Sequence, residues 1–152
     1  MMENRKQVNF YRLALAEGKR FRMELSDDYR LTGTGGGVFT WLAPVYDSMD
    51  QNETWHRLVL SGTFRECKYE IMAAASNEDL REFLYAEERT ADQIEEMLRE
   101  QTFIRKVNTD DLLLHSLTGQ YLYILIRVSG ARVDSHFQID GLHVEFPWGS
   151  FV

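Results

Sequence analysis

Four histidines, one cysteine and a run of glycines are the groups from which a chemical site would be built in this chain. His56, His115, His136 and His143 show no His-x-x-x-His or His-Glu-x-x-His spacing, the kind that sets two imidazoles on one helix face toward a metal. His136 and His143 could meet across a hairpin, but without a third ligand they read as an exposed cross-strand pair. Cys67 shares the apolar side of a strand with Tyr69, Ile71 and Ala73, so it reads as a small core residue and not as a nucleophile. Ser129, Ser135 and Ser150 sit in turn-like contexts without a nucleophile elbow, and no triad can be nominated. Leu31-Thr-Gly-Thr-Gly-Gly-Gly37 reads as a loop, because three consecutive glycines carry too much chain entropy for a regular element. It lacks the Gly-Lys-Ser/Thr ending and following helix of a phosphate cradle. No catalytic residue, cofactor site or metal site emerges, and the chain reads as non-enzymatic.

The elements that would position any site are mostly strands. Gly119-Gln-Tyr-Leu-Tyr-Ile-Leu-Ile-Arg-Val-Ser-Gly130 has the clearest signature, with Leu122, Ile124, Ile126 and Val128 on one face and Tyr121, Tyr123, Leu125 and Arg127 on the other. This strand is expected at the centre of a sheet, its aliphatic face in the core and its tyrosine and arginine face against a wetter layer or a partner. Val8–Leu15 and Arg20–Leu25 read as short strands around a Glu17-Gly18-Lys19 turn, the alternative being a helix that starts at Arg12-Leu-Ala-Leu-Ala-Glu17. Val38–Tyr46 reads as an edge strand or bulge because Pro44 interrupts it. Trp55–Leu60 and Cys67–Ala74 read as a hairpin or as sheet-crossing neighbours joined through Ser61-Gly-Thr63. His136–Asp140 and Leu142–Phe146 read as the last two strands.

Residues 76–111 differ in kind. They hold eleven acids against five bases, a net −6 of the chain's −7. Ser76-Asn-Glu-Asp79 and the capping box Thr90-Ala-Asp-Gln93 predict two short amphipathic helices, with Leu80, Phe83 and Leu84 on the first stripe and Ile94, Met97 and Leu98 on the second. Their carboxylates read as solvated faces, Glu96 and Glu100 being supported by neighbouring arginines, and not as a paired acid and base. The whole pattern predicts a mainly β, antiparallel, jelly-roll-like β-sandwich forming a single domain over 1–152, with a helical insertion around 77–104 inside the acidic segment 76–111. A closed barrel is the alternative.

Composition sets outer limits. With 152 residues, 44% of them hydrophobic and 27% charged, the chain can bury about two-thirds of its unfolded surface without metal or disulfide. A net charge of −7 argues against general affinity for nucleic acid. No apolar run approaches the roughly 20 residues of a membrane span. The N-terminus lacks a secretory pattern and Cys67 is alone, which together predict synthesis in a reducing cytosol.

Gly119–Gly130, followed by Ile139-Asp-Gly-Leu-His-Val-Glu-Phe-Pro-Trp-Gly-Ser150, resembles a module of phage-tail and contractile-injection-system baseplate proteins. In that family a Gly-Arg-Tyr-Leu-Trp-Leu-Arg-Leu type strand is followed by one ending in Tyr-Pro-Arg-x-Ser. Earlier strands, Val38-Phe-Thr with Pro44-Val-Tyr-Asp-Ser48, Trp55–Leu60 and Leu112–Leu114, are similar in the same order, so the resemblance covers about 31–75 and 110–151. Gln120 and Trp148 both stand where the family has arginine.

The resemblance implies a structural or adaptor subunit of the baseplate region, made in the bacterial cytoplasm and built into a virion or tail-like particle. Its partners would be other tail or baseplate subunits, in a homo-oligomer or a symmetric hetero-assembly. A further baseplate domain commonly follows in the family, so the resemblance implies either a stand-alone relative or one whose further domain lies on another chain. Tyr121, Tyr123, Arg127, Phe146, Trp148 and Phe151 are the candidate interface residues, being the types that dominate interface energetics. The other reading of the residues is a carbohydrate-binding β-sandwich, with an exposed aromatic pair stacking on sugar rings and the glycine loop rimming the site.

Overall fold

A computed structural model describes residues 8–147. The elements in chain order are β1 (Val8–Arg12), β2 (Lys19–Phe21), β3 (Glu24–Leu25), β4 (Leu31–Thr34), β5 (Gly37–Leu42), β6 (Tyr46–Asp47), β7 (Arg57–Arg65), β8 (Cys67–Ser76), α1 (Arg81–Leu84), α2 (Ala91–Arg99), β9 (Thr102–Val107), β10 (Asp111–Leu113), β11 (Tyr121–Gly130) and β12 (His136–Pro147). They form two antiparallel sheets packed face to face, the expected sandwich. The first runs β10-β7-β12-β4-β3 with β1 also on β12, and the second runs β2-β5-β11-β8-β9 with β6 on β11.

The aliphatic face of β11 lies in the core as expected. Leu122, Ile124, Ile126 and Val128 meet Leu58, Leu60, Ile139, Leu142 and Val144 of the first sheet, together with Trp41 and Trp55, and all are buried. Each such aliphatic side chain contributes roughly 1.5–3 kcal/mol relative to exposure. β11 is also central, between β5 and β8.

Several expectations are corrected. Gly33 belongs to β4, where a Cβ would lie 2.3 Å from the Phe137 ring, so Leu31–Thr34 is a strand and not a loop. Arg20–Leu25 is split by Arg22, whose φ of 70° turns the chain from the second sheet into the first. β7 continues through Ser61-Gly-Thr63 and turns only at Glu66, with φ 54°, into β8 of the other sheet, so these two are sheet-crossing neighbours. β12 is one strand where two were expected, the register shift between Ile139 and Gly141 being a bulge within it.

The helical insertion is shorter than 77–104. α1 spans only Arg81–Leu84, and its N-cap Leu80 makes no side-chain cap bond. α2 has the predicted capping box between Thr90 and Gln93. Thr102–Val107 is an edge strand paired along β8 from Glu70 to Ala75, so the acidic segment is part helix and part sheet.

Candidate functional site

The outer face of the second sheet is occupied by the chain's own acidic segment. Tyr123 and Leu125 of β11, Leu42 of β5, and Met72 and Ala74 of β8 form a second apolar cluster with Leu84 of α1 and Ile94 and Leu98 of α2. Tyr123 is 0% exposed. Its hydroxyl accepts from the Leu80 amide at 2.8 Å and donates to the Glu78 carbonyl at 2.6 Å. Burial pushes the phenol up to about 12. Tyr85 donates to the Ala43 carbonyl, and burial likewise raises its phenol well above the ordinary value. Lys19 of β2 donates to the carbonyls of Ala86 at 2.6 Å and Arg89 at 3.0 Å, which closes the linker between the helices onto the sheet edge.

Charge completes this clamp. Arg127 reaches Asp92 at 2.8 Å and Glu95 at 3.0 Å, and Glu95 also takes Arg99 at 2.8 Å in an i,i+4 pair. It is Glu95, and not Glu96 or Glu100, that an arginine supports at helical spacing. The face carrying Tyr121, Tyr123 and Arg127 is covered by residues 78–99 of the same chain. Tyr121 remains half-buried, with the Arg81 guanidinium 5.5 Å from its ring centroid.

Phe146 is also engaged internally. Its ring lies 5.8 Å from Trp55 and 5.1 Å from Tyr46 between centroids, in tilted and edge-on arrangements that aromatic quadrupoles favour. Trp55 Nε1 donates to the Gly119 carbonyl at 3.0 Å, so this cluster fixes the start of β11. Trp148 and Phe151 lie outside the described residues.

The outer face of the first sheet carries no helix among the described residues. Arg57 forms a bidentate pair with Asp111, at 2.7 and 2.5 Å, and also approaches Glu145 at 3.8 Å. The guanidinium beside it holds the Asp111 carboxyl below the ordinary carboxylate value. Glu145 is 9% exposed and lies 3.7 Å from His56 Nδ1, whose ring in turn sits edge-on to His115 with centroids 5.2 Å apart. Leu113 stands 63% exposed beside this network.

Sequence spacing did not reveal the His56 and His115 contact, since 59 positions separate them. It forms because the Leu114 amide bonds to the His56 carbonyl just past β10. Among the described residues, no group of three or more His, Cys, Asp or Glu side chains is placed to hold a metal ion. No helix among them is long and apolar enough to cross a membrane. Cys67 is half-buried at the core edge, its thiol pushed up by desolvation.

No protein family matches the sequence, and no curated protein resembles it. Solved structures do share the fold. The glycosylation-associated protein complex Gap123 of Streptococcus agalactiae aligns at a TM-score of 0.55 and 9% identity, over 91% of this chain and 26% of the other. The chain thus spans about a quarter of that protein's length. TmCBM61 in complex with β-1,4-galactotriose aligns at 0.47 and 8% identity, over 93% and 88% of the two chains. The Tobacco streak virus coat protein aligns at 0.36 and 8% identity, over 100% and 92%. The first of these likenesses is one of fold, and the lower two add nothing to it.

Proposed function

We propose that this chain is a non-enzymatic structural or adaptor subunit of a phage tail or tail-like contractile particle, acting in the baseplate region through protein–protein contacts. One structural observation carries the adaptor reading: the two sheets have unequal outer faces. The second sheet is closed by residues 78–99 of its own chain, whereas the first presents Arg57, Val59, Asp111, Leu113 and His143 with no helix over them among the described residues. The identity of the particle rests on the resemblance of Gly119–Gly130 and Ile139–Ser150 to tail proteins. Contact with neighbouring subunits is accordingly assigned to the first sheet and to the aromatic residues Trp148 and Phe151 that follow Phe146. The tyrosine and arginine face of β11 plays its part inside the subunit.

An arginine-centred network beside an exposed leucine suits this role. Arginine and apolar side chains enrich interface centres, and a bidentate Arg57–Asp111 pair is already ordered before a partner arrives. The test is immunogold labelling of particles from producing cells, with Leu113→Arg and a Trp148→Ala, Phe151→Ala double variant as comparisons. Label is expected at one end of the particle, with incorporation reduced at least tenfold in either variant while the purified chains remain folded. Full incorporation of both variants would overturn the assigned surfaces, and particles without label would overturn the role.

The alternative reading is a carbohydrate-binding β-sandwich, which uses an exposed aromatic pair. Tyr29, 67% exposed, is an aromatic ring on which that reading can draw.

A further inference from the structure

The strand edge where the chain crosses between sheets leaves a cavity of about 270 Å³, lined by Arg22, Glu24, Thr32, Gly33, Thr34 and Phe39. Its size lies just below the roughly 300–1,000 Å³ of small-molecule sites. It exists because β3 pairs with β4 only at Leu31 and Thr32, so the edge of β4 along Gly33 and Thr34 has no strand beside it among the described residues. Phe39, buried in the core, forms the floor.

Arg22 is held over that floor before any ligand binds. Its guanidinium carbon lies 4.3 Å from the Phe39 centroid, and one terminal nitrogen donates to the carbonyls of Gly36 at 3.3 Å and Val38 at 3.4 Å. Gly37 makes room for it, since a Cβ there would sit 2.3 Å from Arg22 Nη1. Arg22 Nε and Nη2 have no partner among the described residues, and neither does the Glu24 carboxylate.

These groups specify a ligand. A guanidinium with two free N–H-bearing nitrogens suits a carboxylate, which it binds as a planar fork. Glu24 on the same wall needs hydrogen-bond donors and disfavours a dianion such as phosphate. The Thr34 hydroxyl adds a polar partner on β4, beside Thr32, whose own hydroxyl donates to the Glu24 carbonyl at 3.5 Å. A molecule with one carboxylate and several hydroxyls meets all of these demands, whereas a neutral sugar leaves Arg22 without a counter-charge.

We propose that the notch between Arg22, Glu24 and the free edge of β4 binds an acidic saccharide unit of the hexuronate class. Arg22 also borders a second cavity, of about 360 Å³, toward Phe21 and Val38. A second sugar ring extends there with its apolar face against those side chains. The site is independent of the subunit role, and either can fail without the other.

Digalacturonate titrated into the ¹⁵N-labelled chain is expected to shift the Gly33, Thr34 and Gly37 amide signals saturably. Galactose, which lacks the carboxylate, should bind at least tenfold more weakly. Arg22→Gln should lose at least tenfold in affinity, and Glu24→Gln and Thr34→Val, both on exposed side chains, about threefold each. Arg65→Gln, on the first sheet, should bind as the parent does. Absence of saturable shifts, equal binding of galactose, undiminished binding by Arg22→Gln, or equal competition by glutamate or inorganic phosphate would each overturn the assignment. Should Arg22→Gln not fold, unchanged binding in both Glu24→Gln and Thr34→Val overturns it instead.

Discussion

The hydroxyl of Tyr123, at the centre of the second sheet, accepts a 2.8 Å hydrogen bond from the backbone amide of Leu80, the residue that opens α1. It donates at the same time to the Glu78 carbonyl, so one buried side chain satisfies both an amide that the start of this short helix leaves without a partner and a carbonyl of the turn before it. Tyr123→Phe keeps the ring and removes both bonds. The expected loss is about 1–3 kcal/mol in urea unfolding, with amide exchange accelerated at Leu80–Leu84 before it rises in α2. An unchanged midpoint would mean that apolar packing alone holds the segment.

The same tyrosine predicts an alkaline limit. Its phenol is raised to about 12 by burial, and Tyr85 shifts in the same direction. Unfolded tyrosine titrates near pH 10, so between about pH 10 and 12 the folded state binds more protons than the unfolded one. Stability is therefore fully present below about pH 10 and is lost as pH rises through about 12. Equilibrium unfolding across this interval should show that fall, and Tyr123→Phe should flatten it. A parent profile that is flat over the interval would contradict the buried, neutral phenol.

The strands that sequence revealed are those that bury one whole face. Leu122 to Val128 alternate without interruption because β11 is central, and Ile94 with Leu98 mark the buried stripe of α2 for the same reason. Thr102–Val107 was hidden because an edge strand buries little of either face, so only Phe103 and Ile104 signal it. Asp140-Gly141 has the composition of a turn, and whether such a pair bends the chain back or forms a bulge depends on β7 running alongside it. The candidate surface followed the same division. Sequence marked the tyrosine and arginine face of β11 as unlike the core, but the identity of what covers it depended on contacts between residues more than twenty positions apart. The Arg22 notch lay in a stretch read as a strand and a glycine loop, and a gap between strands leaves no periodic trace.

Arg127 should matter more than the other arginines near the helices. Its side chain is 23% exposed and shares Glu95, itself 21% exposed, whereas the Arg81–Asp79 pair is 48% and 43% exposed. Arg127→Ala is expected to cost about 1–3 kcal/mol by leaving Glu95 partly buried beside a lost partner. A double-mutant cycle with Glu95→Gln should show coupling of at least about 0.5 kcal/mol. Arg81→Ala should stay within roughly 0.5 kcal/mol. Equal effects at the two arginines would show that α2 is not held to β11 by charge.

The glycines around the Arg22 turn can be ranked by what a methyl group would meet. At Gly130 a Cβ would lie 2.1 Å from the Gly35 carbonyl oxygen, a backbone atom that cannot move without parting β11 from the loop beside it. Gly37 combines a φ of +105° with the Arg22 guanidinium in the way, but a side chain can swing aside. Gly36 has only ordinary contacts, the nearest at 3.7 Å, and no left-handed φ. Gly130→Ala should therefore be the most damaging, at about 1–3 kcal/mol or more from overpacking. Gly37→Ala should cost about 1–3 kcal/mol from backbone strain and should also weaken digalacturonate binding by displacing Arg22. Gly36→Ala should be neutral or stabilising by about 0.4–1 kcal/mol, because it restricts the unfolded chain. Thermal unfolding of the three variants checks the order, and a Gly36→Ala loss as large as that of Gly130→Ala would show that the close approach of Gly35 to Gly130 is not what fixes this end of the strand.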